Sequence, residues 1–111
     1  MTSLREKKRY LAFEIISEAR IEDFNAVNRT IWAKSLEYWG ELGCAHAGIM
    51  VLQDKYDKER QKGLIRVSNK SLNNLKAALA LVDNIDGKRV IMRTTGVSGI
   101  LKKAQDKYIA D

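Results

Sequence analysis

The chain has 111 residues, 45% of them hydrophobic, which is enough for one domain with a packed core. It has no apolar run of about 18 residues, so no membrane-spanning helix is expected, and its charged start has no signal-peptide pattern. A single cysteine excludes an internal disulfide and fits a reducing, intracellular setting.

The net charge of +6 arises in the second half of the chain. Residues 60–111 hold eleven Lys or Arg against four Asp or Glu, whereas residues 1–59 hold nine against ten. This excess predicts a polyanionic partner. The alternative is that the charge only keeps the protein soluble.

The first predicted element is a strand over residues 9–16, because apolar side chains recur there with a period of two. Leu11, Phe13 and Ile15 share the face that we assign to the core. The other face is mixed and is either half-exposed or covered by another element. It holds Tyr10, Ala12, Glu14 and Ile16.

The second predicted element is a helix from Asp23 to about Trp39, with acidic residues at its start that suit the helix dipole. Its apolar positions form two neighbouring stripes, a wider arc than one core contact requires. Trp32, Leu36 and Trp39 form the second stripe, a candidate partner interface because Trp is enriched in interface cores. The alternative is that both tryptophans belong to the core, since Trp is highly buried on average.

A turn is predicted from Gly40, which should end the helix, to Gly48. Cys44 and His46 lie in it two residues apart, but His46 is the only histidine and a structural zinc site needs about four ligands. Neither has a nucleophile–base partner that the sequence identifies. We therefore interpret both as turn or core residues, and we predict no catalytic residue and no metal ligand in this protein.

Further strands are predicted at 48–53 and 63–68, followed by a helix at 72–84 with a regular apolar stripe. The Asp86–Gly87 turn leads into a last strand, in which Val90 and Met92 alternate with outward residues. This order predicts an α+β fold over residues 1–111. We expect a ferredoxin-like (RRM-like) split βαβ sandwich with a four-stranded antiparallel sheet, both main helices on one face, and an extra C-terminal helix.

The stretch 88–108 reads as a strand, a glycine turn and a helix. Gly96 and Gly99 permit backbone angles closed to other residues, and Ser98 is the expected N-cap of the helix. A helix N-terminus beside arginines and lysines can receive a phosphate, so one basic surface is predicted there. The alternative is a turn whose glycines serve only the backbone.

Three classes of function fit a fold of this kind. An RNA-recognition domain stacks bases on strand aromatics. Here Lys62–Val67 has the Lys-Gly start of its motif but neither aromatic residue, so phosphate contacts are favoured over base stacking. An acylphosphatase-like enzyme needs a glycine-containing anion loop after its first strand, and Ser17–Glu22 has no glycine. The third class is a protein-interaction or scaffold module that binds no RNA. A steep fall of RNA affinity with salt would distinguish the first class.

Two sets of site residues follow from these patterns. The predicted RNA-binding residues are Arg66, Arg89, Arg93, Ser98, Gly99, Lys102 and Lys103. The predicted partner interface is Trp32, Leu36, Trp39, Leu64 and Ile91, of which the last two should be exposed on the sheet.

Four segments carry a resemblance to a known family: RYLAF at 9–13, QKGLIRVS at 61–68, KAALAL at 76–81 and RTTGVSG at 93–99. In this order they resemble ribonuclease P protein component 2, the archaeal form of the Pop-five subunit. The likeness runs from about Arg5 to Tyr108, and the last segment is the most specific. Many members have Thr after the second glycine, where this chain has Ile100.

The resemblance implies a protein subunit of ribonuclease P, the ribonucleoprotein that removes the 5′ leader of precursor tRNA. Its RNA subunit with bound Mg²⁺ is the catalyst, so the protein would be non-catalytic on its own and would bind no cofactor. The implied partners are ribonuclease P RNA, ribonuclease P protein component 3 and other ribonuclease P proteins, with a homodimer as a further option. An archaeal, cytoplasmic member is expected, because eukaryotic members tend to be longer at the C-terminus.

Overall fold

A computed structural model describes residues 7–110, so the first six residues of the charged N-terminal stretch lie outside the described range, as does Asp111. Within that range the chain forms five strands and three helices. The strands are β1 (Lys8–Ser17), β2 (Met50–Val51), β3 (Lys62–Ser68), β4 (Asn84–Ile85) and β5 (Lys88–Ser98). The helices are α1 (Phe24–Ala47), α2 (Leu72–Ala80) and α3 (Leu101–Ala104), which continues as a wider π-helical segment over Gln105–Ile109. Short 3₁₀ turns occupy Gln53–Lys55 and Asn69–Ser71.

The strands form one antiparallel sheet in the order β2-β3-β1-β5-β4, which curls into a half-barrel in this mixed α+β arrangement. The prediction of four strands is corrected, because β4 adds a fifth at one edge. It pairs with β5 through a tight hairpin whose central residues, Asp86 and Gly87, have φ values of 54° and 82°. Asp-Gly favours such turns. The turn was therefore predictable, whereas a strand of two residues carries no alternation to reveal it.

The main core lies between one sheet face and the helices α1 and α2. Leu11, Phe13 and Ile15 of β1 are buried there as predicted, and so are Val90 and Met92 of β5. We call the opposite side of the sheet the outer face. On β1 it carries Tyr10, Ala12, Glu14 and Ile16, because side chains alternate along a strand.

Helix α1 is longer than predicted. Its N-cap is Asp23, whose Oδ1 accepts a hydrogen bond of 2.9 Å from the Asn25 N–H. Gly40 breaks the helical geometry with φ 81° and ψ 171°, as expected, but the helix resumes and ends only at Ala47. Cys44 is buried on this second part, and burial raises the pKa of its thiol. No helix within residues 7–110 is long and apolar enough to cross a membrane.

The pairing of β1 with β5 contains a bulge. Phe13 lies opposite Thr94, whereas the preceding Ala12 lies opposite Gly96, so Thr95 is an extra residue on β5. A bulge of this kind shifts the alternation of the strand. Gly96 and Ser98 consequently face the same side as Arg93, which is the outer face.

Candidate functional site

Helix α3 folds back over the outer face and builds a second, smaller core there. Four buried residues form it: Ala12, Leu64, Ala104 and Ile109. Four partly buried side chains pack against them: Tyr10, Leu52, Leu101 and Tyr108. Leu64 was predicted to be exposed, and that prediction is wrong, since its exposed fraction is 0%. It faces the predicted side of the sheet, but α3 covers it.

Gly96 is the residue that lets α3 approach the sheet. A Cβ atom built at this position would overlap the ring of Tyr108. Neither Gly96 nor Gly99 is among the glycines with positive φ, so neither adopts the left-handed backbone geometry that glycine permits. At Gly96 the missing side chain makes room for an aromatic ring.

Ser98 does not cap the helix, contrary to prediction. It is the last residue of β5, and α3 begins at Leu101 after Ile100 in the N-cap position. The Ser98 hydroxyl accepts a 3.1 Å hydrogen bond from the Ile100 N–H and lies 3.2 Å from the Ile100 carbonyl oxygen, to which it donates. Ser98 therefore stabilises the turn between β5 and α3.

The predicted basic residues do not form one surface. Arg89 precedes Ser98 by nine residues on β5, roughly 30 Å at about 3.3 Å per residue. Arg93 lies between them and its Nε is 3.1 Å from Glu14 Oε1. Lys102, on α3, is 3.4 Å from the carboxylate of Asp106. The single basic surface around the helix start is therefore a wrong prediction for Arg89, while Arg93 has its charge paired with Glu14.

A second group does converge at the α3 end of the sheet. On the outer face, Arg66 and Ser98 flank Tyr10 from the two neighbouring strands, and each is its register partner. Lys102 and Lys103 follow Gly99 within four residues and are exposed. The Nε of Arg66 is buried and makes no hydrogen bond to any residue in the described range. The RNA-binding role of all seven residues stays a prediction.

A basic concavity lies beside this group, at the basic N-terminal stretch that is an alternative RNA site on sequence grounds. It is lined by Lys7, Lys8, Arg9, Tyr10 and Gly99. Arg9 is fixed there, since its Nε donates a 2.9 Å hydrogen bond to Asn69 Oδ1, and the Asn69 N–H in turn donates to the Lys7 carbonyl at 2.8 Å. The available signal was the run of three consecutive basic residues at the start of the first strand.

The predicted partner residues also differ in exposure. Trp32 and Trp39 are partly buried and pack against the main core, while Leu36 is 41% exposed. Ile91 is 62% exposed on the outer face, next to its register partner Ile16, which is 47% exposed. This pair lies in the part of the outer face that carries the Glu14–Arg93 ion pair.

Comparison with known proteins identifies the family of this chain. The sequence model described as the Rpp14/Pop5 family matches residues 9–109. The chain belongs to the Rpp14/Pop5 family. The match begins at residue 9, so within the basic concavity it includes Arg9, Tyr10 and Gly99 but not Lys7 or Lys8.

Archaeal relatives named "Ribonuclease P protein component 2" match nearly the whole chain. The Pyrococcus horikoshii protein is 41% identical over 110 residues, covering 97% of this chain and 88% of that protein. The Thermococcus kodakarensis protein is 37% identical over 109 residues, covering 98% and 88%. The Archaeoglobus fulgidus protein is 37% identical over 107 residues, covering 96% and 93%. These matches confirm the resemblance drawn from the four sequence segments.

A solved structure agrees with the fold. A chain in the "Cryo-EM structure of yeast Ribonuclease MRP" superimposes with a TM-score of 0.65, covering 89% of this chain and 78% of that chain. The two sequences are 15% identical, so this likeness concerns the fold alone. An α+β architecture on an antiparallel sheet is thus shared between this member of the Rpp14/Pop5 family and a chain of the yeast Ribonuclease MRP structure.

Proposed function

We propose that this chain is a protein subunit of ribonuclease P that supports the catalytic RNA in removing the 5′ leader from precursor tRNA. The observation that carries the proposal is the Rpp14/Pop5 match over residues 9–109, together with archaeal relatives named ribonuclease P protein component 2 over nearly their full length. The protein acts in the cytoplasm, is not catalytic by itself and binds no cofactor, while Mg²⁺ belongs to the RNA subunit.

Its contribution is electrostatic. Lys and Arg neutralise crowded RNA phosphates, which lowers the Mg²⁺ concentration that the active RNA fold requires. The basic second half of the sequence supports this role.

Reconstituted cleavage of precursor tRNA tests the proposal. An archaeal ribonuclease P RNA is assayed across a Mg²⁺ series with component 3 alone, and again after addition of this chain. We expect the chain to shift cleavage to lower Mg²⁺, and the chain without RNA to cleave nothing. Cleavage by the protein alone contradicts the auxiliary role. An unchanged Mg²⁺ requirement contradicts the subunit role and favours the module that binds proteins only.

We also propose that the sheet and its two main helices form a ferredoxin-like split βαβ unit. The order β2-β3-β1-β5, with α1 and α2 packed on one face, supports this interpretation. Strand β4 is then a two-residue addition at the edge of β5.

For the protein partner, component 3 is the proposed occupant of the apolar pair Ile16 and Ile91. Adjacent exposed isoleucines on a strand face favour burial by a partner. Ile91→Glu should abolish co-elution with component 3, whereas Leu81→Glu, a matched change at a 53% exposed site after α2, should not. Retained co-elution of the Ile91 variant would rule this surface out. Light scattering of the chain alone tests for a homodimer.

A further inference from the structure

The basic concavity at the start of β1 is a site whose charges are not compensated. Its cations are Lys7, Lys8 and Arg9. Among residues 7–110 none of the three forms an ion pair, whereas Arg93 and Lys102 each contact a carboxylate. Arg9 is held by the neutral amide of Asn69, which positions the guanidinium without cancelling its charge. Arg9 therefore brings uncompensated positive charge to a concavity that Lys7 and Lys8 also line, while the Lys8 Nζ itself extends toward Gly48.

Gly99 keeps this concavity open. A Cβ atom placed on Gly99 would lie 3.6 Å from Arg9 Nη1, which is ordinary van der Waals contact. Any larger side chain would extend into the space beside the guanidinium. Because the φ of Gly99 is not positive, the backbone itself does not require glycine here. The absence of a side chain instead leaves space beside Nη1 of Arg9, a guanidinium donor that suits phosphate.

We propose that the concavity formed by Lys7, Lys8, Arg9, Tyr10 and Gly99 binds backbone phosphates of RNA. The inference rests on the proposed ribonuclease P function and assigns the contact to the end of the sheet at which β1 begins. Bases cannot stack on the centre of the outer face, because α3 buries Ala12 and Leu64 there. Tyr10 packs against that same cluster. Recognition at this edge is consequently through charge and shape, with little dependence on base sequence.

The first test removes charge at the site and, separately, elsewhere. One full-length variant carries Lys7→Ala, Lys8→Ala and Arg9→Ala. The matched control carries Arg20→Ala, Arg29→Ala and Lys76→Ala, which are exposed residues on other surfaces. Affinity for ribonuclease P RNA is measured from about 50 to about 200 mM salt, where phosphate contacts are strongly screened. Each lost contact lowers the slope of log affinity against log salt by roughly 0.7–0.9, so the site variant should lose about two units. The control should lose much less.

The second test blocks the site without changing charge. Gly99→Leu should fill the space beside Arg9 and lower the slope by roughly 0.7–0.9, the value of one phosphate contact. Gly99→Ala should leave the slope unchanged, because its Cβ makes only ordinary contact with Arg9. Circular dichroism and urea unfolding confirm that each variant is folded.

The outcomes separate this site from the proposed function. An unchanged slope in the Lys7/Lys8/Arg9 variant, or an equal loss in the control, overturns the site while leaving reconstituted cleavage to judge the function. A wild-type chain that neither binds the RNA nor shifts its Mg²⁺ requirement overturns both. Equal affinity for an unrelated RNA of the same length supports recognition through phosphates, and dependence on base sequence at this site overturns it.

Discussion

The outer face has two halves that differ in exposure. Helix α3 covers the half that contains Ala12 and Leu64, whereas the half that contains Ile16 and Ile91 is uncovered. Near the end of β5, Ala12 and Leu64 are fully buried beneath α3. Toward the other end, Ile16 and Ile91 stand 47% and 62% exposed. All four positions follow the same two-residue alternation. Alternation therefore identifies which side of a sheet a residue occupies, while a helix contributed by a later part of the chain decides whether that side is core or surface.

The charges differ between the halves in the same way. In the uncovered half, Arg93 is paired with Glu14 at 3.1 Å and contributes little free positive charge. At the edge of the covered half, Lys7, Lys8 and Arg9 line a concavity and form no ion pair with another residue in the 7–110 range. The sequence alone therefore does not say which arginines are available to bind RNA. That depends on whether a carboxylate lies next to each one in the fold.

The largest difference between the halves should appear on truncating an apolar residue in each. Leu64→Ala should lower the free energy of unfolding by about 2–5 kcal/mol, because it leaves a cavity under α3. Ile91→Ala should change it by no more than about 0.5 kcal/mol, since that side chain is mostly in solvent. Urea unfolding measures both, and equal losses would show that α3 does not cover its half in solution.

A smaller effect is expected where α3 meets the sheet. Gly96→Val should lower the free energy of unfolding by about 1–3 kcal/mol, because the new side chain displaces the Tyr108 ring. Gly99→Ala, three residues later, should be neutral or stabilise slightly, as a glycine without positive φ allows. The measurement is again urea unfolding. A neutral Gly96→Val variant would contradict the close packing of α3.

The smallest effect belongs to the ion pair in the uncovered half. A double-mutant cycle with Glu14→Gln and Arg93→Ala should give a coupling energy of about 0.2–1 kcal/mol, since the Arg93 side chain is 62% exposed. Added salt should reduce it further. Coupling that is well above this range and insensitive to salt would mean that a partner or another element shields this half.

The sequence predicted the helix-covered side of the sheet well. Leu11, Phe13 and Ile15 are buried as expected because their alternation has no competing interpretation. Leu64 was placed on the correct side with the wrong exposure, since no local pattern says where α3 lies. Ser98 has the residue type of an N-cap, but the strand continues through it.

The basic residues show the same limit of prediction from local sequence patterns. Arg89 and Arg93 do share a side of β5, yet distance along the strand separates Arg89 from α3. Residue type and periodicity are local, whereas a binding surface joins segments that are distant in sequence. The family could be recognised because its motifs are themselves local in the sequence.

The extra residue Thr95 reverses which residues of β5 face outward before and after it. Up to Thr94, odd-numbered residues from Arg89 to Arg93 point outward, and from Gly96 onward the even-numbered residues do. If the bulge were straightened with every residue kept, Thr95 would lie opposite Ala12 and Gly96 opposite Leu11, exchanging inside for outside over the rest of the strand. Val97 would then leave the interior, and the space that Tyr108 occupies over Gly96 would be lost. Deleting Thr95 would instead remove only the unpaired residue and leave Gly96 opposite Ala12. We therefore expect both substitutions at Thr95 and its deletion to keep the outward face of Gly96 on which Tyr108 packs.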